Sequence, residues 1–103
     1  MMYRVTTLRR AKKDLNNIFS YITEELNDSL LAISLLDAIE AQILSLTTMP
    51  NRFALVDDER LAKQGYRLIP VKNHLIFYIV DEQVKRVSIV GVLHSKRNWI
   101  DLL

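Results

Sequence analysis

The feature that most constrains the fold is a change of hydrophobic period partway along the chain. Leu8, Ala11, Leu15, Ile18, Phe19, Ile22 and Leu26 recur at intervals of three and four, the stripe of an amphipathic helix. Asn27-Asp28-Ser29 then breaks the pattern with good capping chemistry, and a second stripe follows through Ala32, Leu35, Leu36, Ile39, Ile43 and Leu46. Pro50 disfavours helical geometry in the residue before it, so this helix is expected to stop near Met49. The short break predicts a helical hairpin. Leu30, Leu31, Ile33, Ala38, Ala41 and Leu44 lie off the main stripe, so the second helix needs cover on more than one side, from a sheet and the first helix or from a partner chain.

Past Gly65 the period falls to two. Tyr66–Pro70, His74–Val80 and Arg86–Leu93 read as strands, joined by short polar turns at Lys72-Asn73 and Asp81-Glu82-Gln83. Tyr3–Thr6 reads as a further short strand before the first helix, with Thr6 or Thr7 offering a capping hydroxyl. Residues 51–65 read as a loop with a helical turn, and Asn98–Leu103 as one helical turn. The order β-α-α-β-β-β predicts an α+β fold, an antiparallel sheet with the helical hairpin packed on one face, in a single domain over residues 1–103. Alternation places Leu68, Leu75, Phe77, Ile79, Val87, Ile89, Gly91 and Leu93 under the helices. It leaves Arg67, Tyr78, Arg86 and His94 on one open face.

Composition closes off several classes of chemistry. The absence of cysteine excludes a disulfide scaffold and a thiol nucleophile, and two histidines without ligand spacing argue against a metal site. No cofactor is expected. The start lacks a signal-peptide core, and the apolar stretches are broken well short of a membrane span, so the expected compartment is the cytoplasm. Charge is segregated: residues 1–13 hold five bases and no acid, residues 14–40 six acids and no base, and residues 60–103 eight bases against three acids. Such a molecule meets a polyanion or an acidic partner with one side.

The chain resembles the RelE/ParE superfamily, the toxins of type II toxin–antitoxin modules. The resemblance runs through Ala11-Lys12-Lys13-Asp14-Leu15 with Ile18 and Tyr21-Ile22, then Leu46 and Pro50, Tyr66-Arg67, Ile76-Phe77-Tyr78, and Val92-Leu93-His94 followed by Lys96-Arg97. It covers nearly the whole chain and implies the compact αβ toxin fold. It also implies a growth inhibitor neutralised by a cognate antitoxin that lays an amphipathic segment on the toxin. The greasy second helix, through Leu35 and Ile39, and the C-terminal Trp99 are the expected antitoxin contacts; the same surplus apolar surface also leaves a homodimer open.

The superfamily holds two activities. RelE-like members cleave mRNA at the ribosome, and ParE-like members block DNA gyrase. Metal-free RNA cleavage needs a base, an acid and a cation for the developing phosphorane charge. Arg67 matches the family's strand arginine, and His94 the histidine some nucleases carry after the last strand. Tyr78 or His74 is placed to stack on a base or assist proton transfer. Against this, Ser95 follows His94 where nuclease members often have an aromatic residue. The strand region carries no glutamate base, and Leu93-His94-Ser95-Lys96-Arg97-Asn98-Trp99 is similar to the ParE-like branch. The expected function is therefore gyrase inhibition without catalytic residues, with Arg86, Lys96 and Arg97 as target or nucleic-acid contacts. The alternatives are a ribosome-dependent endonuclease using Arg67, His94 and Tyr78, and a degenerate member that only binds antitoxin. In the structural alternative, His94 hydrogen-bonds the backbone and Arg67 pairs with Asp81 or a loop acid.

Overall fold

Arg4–Thr7 forms the first strand, β1, in a computed structural model that describes residues 2–103. Pairing runs through Thr7, so both threonines belong to the strand and the N-cap position falls on Leu8. That helix, α1 (Arg9–Ser20), starts from an extended Leu8 without a side-chain cap, and the Leu8 N–H donates to the Ile89 carbonyl at 3.0 Å instead. The expected stripe continues past Ser20, but the backbone widens into a π-helical turn over Tyr21–Glu25, where the Leu26 N–H reaches back to the Tyr21 carbonyl at 3.2 Å.

Asn27 takes a left-handed φ of 53°, which suits asparagine, and Asp28 caps the next helix by accepting from the Leu31 N–H at 2.9 Å. This helix, α2 (Ser29–Ser45), buries Ala32, Leu35, Ile39 and Ile43 as its stripe predicts, with Leu46 buried at its end. Burying each of the larger side chains contributes about 2 kcal/mol. The helix stops before Met49 because Arg52 folds back onto its C-terminus. The guanidinium donates to the carbonyls of Ser45, Thr48 and Met49 at 3.3, 3.0 and 3.1 Å and to Ser45 Oγ at 2.6 Å. The loop that follows contains a short helix, α3 (Glu59–Lys63), capped by Asp58.

Strands β2 (Arg67–Val71), β3 (His74–Asp81) and β4 (Arg86–His94) form the expected antiparallel meander. The sheet order is β1-β4-β3-β2, and β1 adds to the free edge of β4 in parallel, pairing Val5 with Val87 and Thr7 with Ile89. No tight turn links β1 to β4, and the helical hairpin supplies the long connection a parallel pair needs. The last turn, α4, spans Trp99–Leu102. Among the described residues, no helix is long and apolar enough to cross a membrane.

The sheet is covered on both faces. The hairpin packs on Ile69, Val71, Ile76, Tyr78, Val87, Ile89 and Val92. Phe77, Leu93, Leu68 and Leu75 pack on the other side against Val56, Leu61 and the C-terminal residues, with Trp99 tilted on Phe77 at 5.2 Å. Two expectations are corrected by this. On β3 the helices cover Ile76 and Tyr78 rather than Leu75, Phe77 and Ile79, and on β2 they cover Ile69 rather than Leu68. On β4, Val87 and Ile89 face the helices as expected, but the register then shifts: Phe77 pairs with Gly91 and Tyr78 with Ile89, leaving Val90 as a bulge. The extra residue reverses alternation, so Val92 and His94 turn to the helix side and Leu93 turns away. Asp14 of α1 locks the bulge, its Oδ2 accepting from the Val92 N–H at 3.0 Å. A Cβ on Gly91 would lie 3.2 Å from that oxygen and would press on the carboxylate that holds the bulge.

Candidate functional site

The residues expected to form one open face are dispersed. Tyr78 is 0% exposed, and its hydroxyl donates to the Pro50 carbonyl at 2.7 Å. Burial raises its pKa, partly offset by the nearby charges of Arg67 and Arg52. Arg67, its partner on β2, donates from Nη1 to the Phe53 carbonyl at 2.5 Å and to the Asn51 carbonyl at 3.4 Å. Its acceptors are backbone carbonyls, neither Asp81 nor a loop acid. Arg86 is exposed at the start of β4, opposite Asp81 and Arg4. His94 lies at the far end of β4, opposite His74. Four residues of strand separate that pair from Tyr78, about 13 Å. Arg67, Tyr78 and His94 therefore do not converge.

What converges instead is a second histidine. His74 opens β3 and His94 closes β4, so an antiparallel hairpin sets the first against the last. Their rings meet edge to face with centroids 5.1 Å apart. Plain alternation with Ile76 and Tyr78 turns His74 toward the mouth of the helical hairpin, and the β4 bulge turns His94 the same way, into a cleft of about 680 Å³. Ile18, Ile22, Leu31, Leu35 and Val92 give it an apolar lining. Lys72, His74, His94 and Arg97 stand along its sheet side, and Asn17 and Tyr21 along its helix side. Tyr21 and Ile22 reach it from the π-helical turn.

The tautomers follow from the contacts. The Lys96 N–H donates to His94 Nδ1 at 3.1 Å, so the proton of neutral His94 sits on Nε2. His74 Nδ1 is buried without a hydrogen-bond partner. A bare lone pair costs less there than a bare N–H, which also puts the proton on Nε2. Burial, reinforced by His94, pushes the His74 pKa below the ordinary imidazole value. Lys72 adopts a left-handed φ of 53° in the two-residue turn between β2 and β3, and its Nζ touches Ser34 Oγ at 3.3 Å. Among the described residues, neither Lys72 nor Arg97 is paired with a carboxylate. The acid lining the cleft, Asp14, is already engaged with the Val92 N–H.

The expected antitoxin contacts are placed differently from one another. Leu35 and Ile39 are 4% and 0% exposed, because the stripe that carries them faces the sheet; Leu35 reaches the cleft and Ile39 does not. Trp99 is half-buried on Phe77. The apolar surface that α2 offers to solvent is the opposite one, with Leu30 82%, Ile33 51% and Leu44 67% exposed. Lys96 is exposed beside His94, far from Arg86. Sequence reasoning missed the pairing of His74 with His94, which hairpin arithmetic alone indicates, and the inward turn of His94, which depends on the bulge.

With this geometry in view, comparison with known proteins is informative. The family profile described as the ParE toxin of the type II toxin–antitoxin system, parDE, matches residues 5–99. Similar solved structures include the chromosomal ParDE system from P. aeruginosa, with a TM-score of 0.74 at 20% identity, covering 92% of this chain and 98% of that one. The toxin–antitoxin complex RelBE2 from Mycobacterium tuberculosis gives 0.68 at 19% identity, covering 91% and 99%. A mutant of the E. coli toxin RelE in the free state gives 0.65 at 14% identity, covering 99% and 93%. These structures share the fold. Comparison with curated protein sequences gives no match.

Proposed function

The chain belongs to the ParE toxin family of type II toxin–antitoxin systems, and from that premise we propose that it arrests growth by binding a protein target, with DNA gyrase the expected one, until a cognate antitoxin neutralises it. The observation that carries this reading is the engagement of Arg67. A phosphate clamp needs a guanidinium with free donors aimed at the scissile group, whereas Arg67 is bound to the carbonyls of Phe53 and Asn51. Tyr78 is sealed beside it. An inhibitor that acts by binding needs neither group exposed, and the exposed apolar face of α2 gives an antitoxin helix a surface to cover.

The clustering of His74, His94 and Arg97 favours a second reading, ribosome-dependent mRNA cleavage from the cleft itself. Pulse labelling after induction of the protein alone separates the two. Thymidine incorporation falling ahead of methionine incorporation is the expected result. Methionine incorporation collapsing first places the target in translation and overturns the gyrase reading.

A further inference from the structure

The cleft between the helical hairpin and the sheet combines an apolar floor with a cationic edge, and the fold makes no use of the combination. Lys72 and Arg97 lack carboxylate partners among the described residues. Both imidazoles carry their proton on Nε2, Nδ1 being occupied in His94 and sealed in His74. Lys72 also holds the left-handed backbone of its hairpin turn, which glycine or asparagine would adopt at less cost, as Lys85 does in the β3–β4 turn.

We infer that this cleft is a receptor for an acidic peptide, a carboxylate seated against His74 and His94 between Lys72 and Arg97, with the neighbouring apolar side chain resting on Ile18, Ile22 and Leu35. The inference rests on the reading that this toxin acts through protein partners. Charge favours a peptide over RNA. Asp14 lines the cleft itself, and the floor under the cationic edge is apolar. A strand of RNA brings a phosphate with every nucleotide to an apolar floor and to Asp14, whereas one carboxylate on an apolar body uses the cationic edge and the floor together.

Binding is linked to protons. The groups facing the imidazoles are Asp14 and Tyr21 from the helix side, Lys72 from the β2–β3 turn and Arg97 from beyond β4. Burial, reinforced by His94, disfavours the charged form of His74 in the empty cleft. An arriving carboxylate favours the charged form, so a proton is taken up and affinity rises as pH falls.

Imidazole resonances of the full chain, followed by NMR at pH 8 and pH 6, test this with hydrocinnamate, hydrocinnamyl alcohol and the dinucleotide UpA as probes. Hydrocinnamate is expected to move both histidines and to bind about three- to tenfold tighter at pH 6. The alcohol is expected to bind weakly and without pH dependence. His74→Phe/His94→Phe keeps the aromatic packing and should abolish the preference for the acid. Lys72→Gly, which relieves the left-handed strain and so folds, should weaken hydrocinnamate severalfold. Equal binding of acid and alcohol, tighter binding of UpA, or unmoved histidines each overturn the inference. Growth arrest by a protein whose cleft takes no probe removes the receptor and leaves the proposed function standing; a cleft that binds in a protein that arrests nothing does the reverse.

Discussion

At one end of the β2–β3–β4 sheet, Arg67, Tyr78 and Arg52 spend their donors on the carbonyls of residues 45–53. At the other, about 13 Å away along β3, His74, His94, Lys72 and Arg97 line an open cleft, and among the described residues neither Lys72 nor Arg97 has a carboxylate partner. The chemistry of the two groups is similar: each offers cations and a ring that can carry a proton. Their surroundings separate them. The first end is closed by a loop whose backbone lacks secondary-structure partners, and three side chains supply the missing hydrogen bonds. The second end is an open cleft between the helical hairpin and the sheet, where the β4 bulge aims His94 inward beside His74. A family-typical arginine on a strand therefore says little about catalysis until its acceptors are known.

The contrast can be broken by mutation, and the largest effect is expected at the closed end. Tyr78→Ala should cost about 3–5 kcal/mol in urea unfolding, the range for deleting a buried aromatic ring. Tyr78→Phe should cost about 1 kcal/mol, because the Pro50 carbonyl loses its donor. A Phe variant as stable as the wild type would mean that the loop is held by packing alone. Arg67→Met should cost about 1–3 kcal/mol for the same reason, while growth arrest survives at a temperature where the variant stays folded.

At the open end the sign changes. Lys72→Gly should leave the fold as stable or up to about 1 kcal/mol more stable, yet weaken partner binding. Differential scanning calorimetry alongside affinity measurement reads both. A loss of stability there would place Lys72 in the structural set with Arg67.

The smallest effects are in the pH dependence. The folded-state pKa of His74 is lowered, so its contribution to stability is present above the ordinary imidazole value and declines as pH falls below it. His74→Phe should flatten that limb of the stability–pH curve. Glu82, in the turn between β3 and β4, accepts from Asn51 Nδ2 at 2.6 Å, Tyr3 Oη at 2.7 Å and Lys85 Nζ at 3.1 Å. These bonds lower its pKa to about 2, and the hydrogen bond from Asn51 is the largest cause. Its contribution is present above the ordinary carboxylate range and is lost as pH falls toward 2. Glu82→Gln should remove a small part of the acid limb, small because the group is exposed to solvent.

Much of the fold was legible in the residues. The spacing of Ala32, Leu35, Ile39 and Ile43 marks the buried stripe of α2, and Asp28 marks its cap, because helix period and capping are local properties. The strands begin and end within a residue of their alternating runs. The face of β3 was not legible: Leu75, Phe77 and Ile79 are as apolar as Ile76 and Tyr78, and the structure covers both sets. The bulge at Val90 and the π-helical turn at Tyr21 depend on tertiary fit, to which Asp14 contributes from another element, and no local pattern announces them. The parallel pairing of β1 is a choice of sheet edge rather than of sequence. The site suffered most, since Arg67 turned on backbone acceptors and the inward aim of His94 on one extra residue.

The most direct test sets the two ends against each other in one assay. Arg67→Met and His74→Phe/His94→Phe are induced without antitoxin at matched amounts of folded protein, verified by thermal melts, and growth arrest is scored. The account predicts a lower melting temperature with arrest retained for the first, and an unchanged melting temperature with arrest weakened for the second. Arrest lost in Arg67→Met while the double histidine variant remains fully toxic would contradict it, and would return the active surface to Arg67.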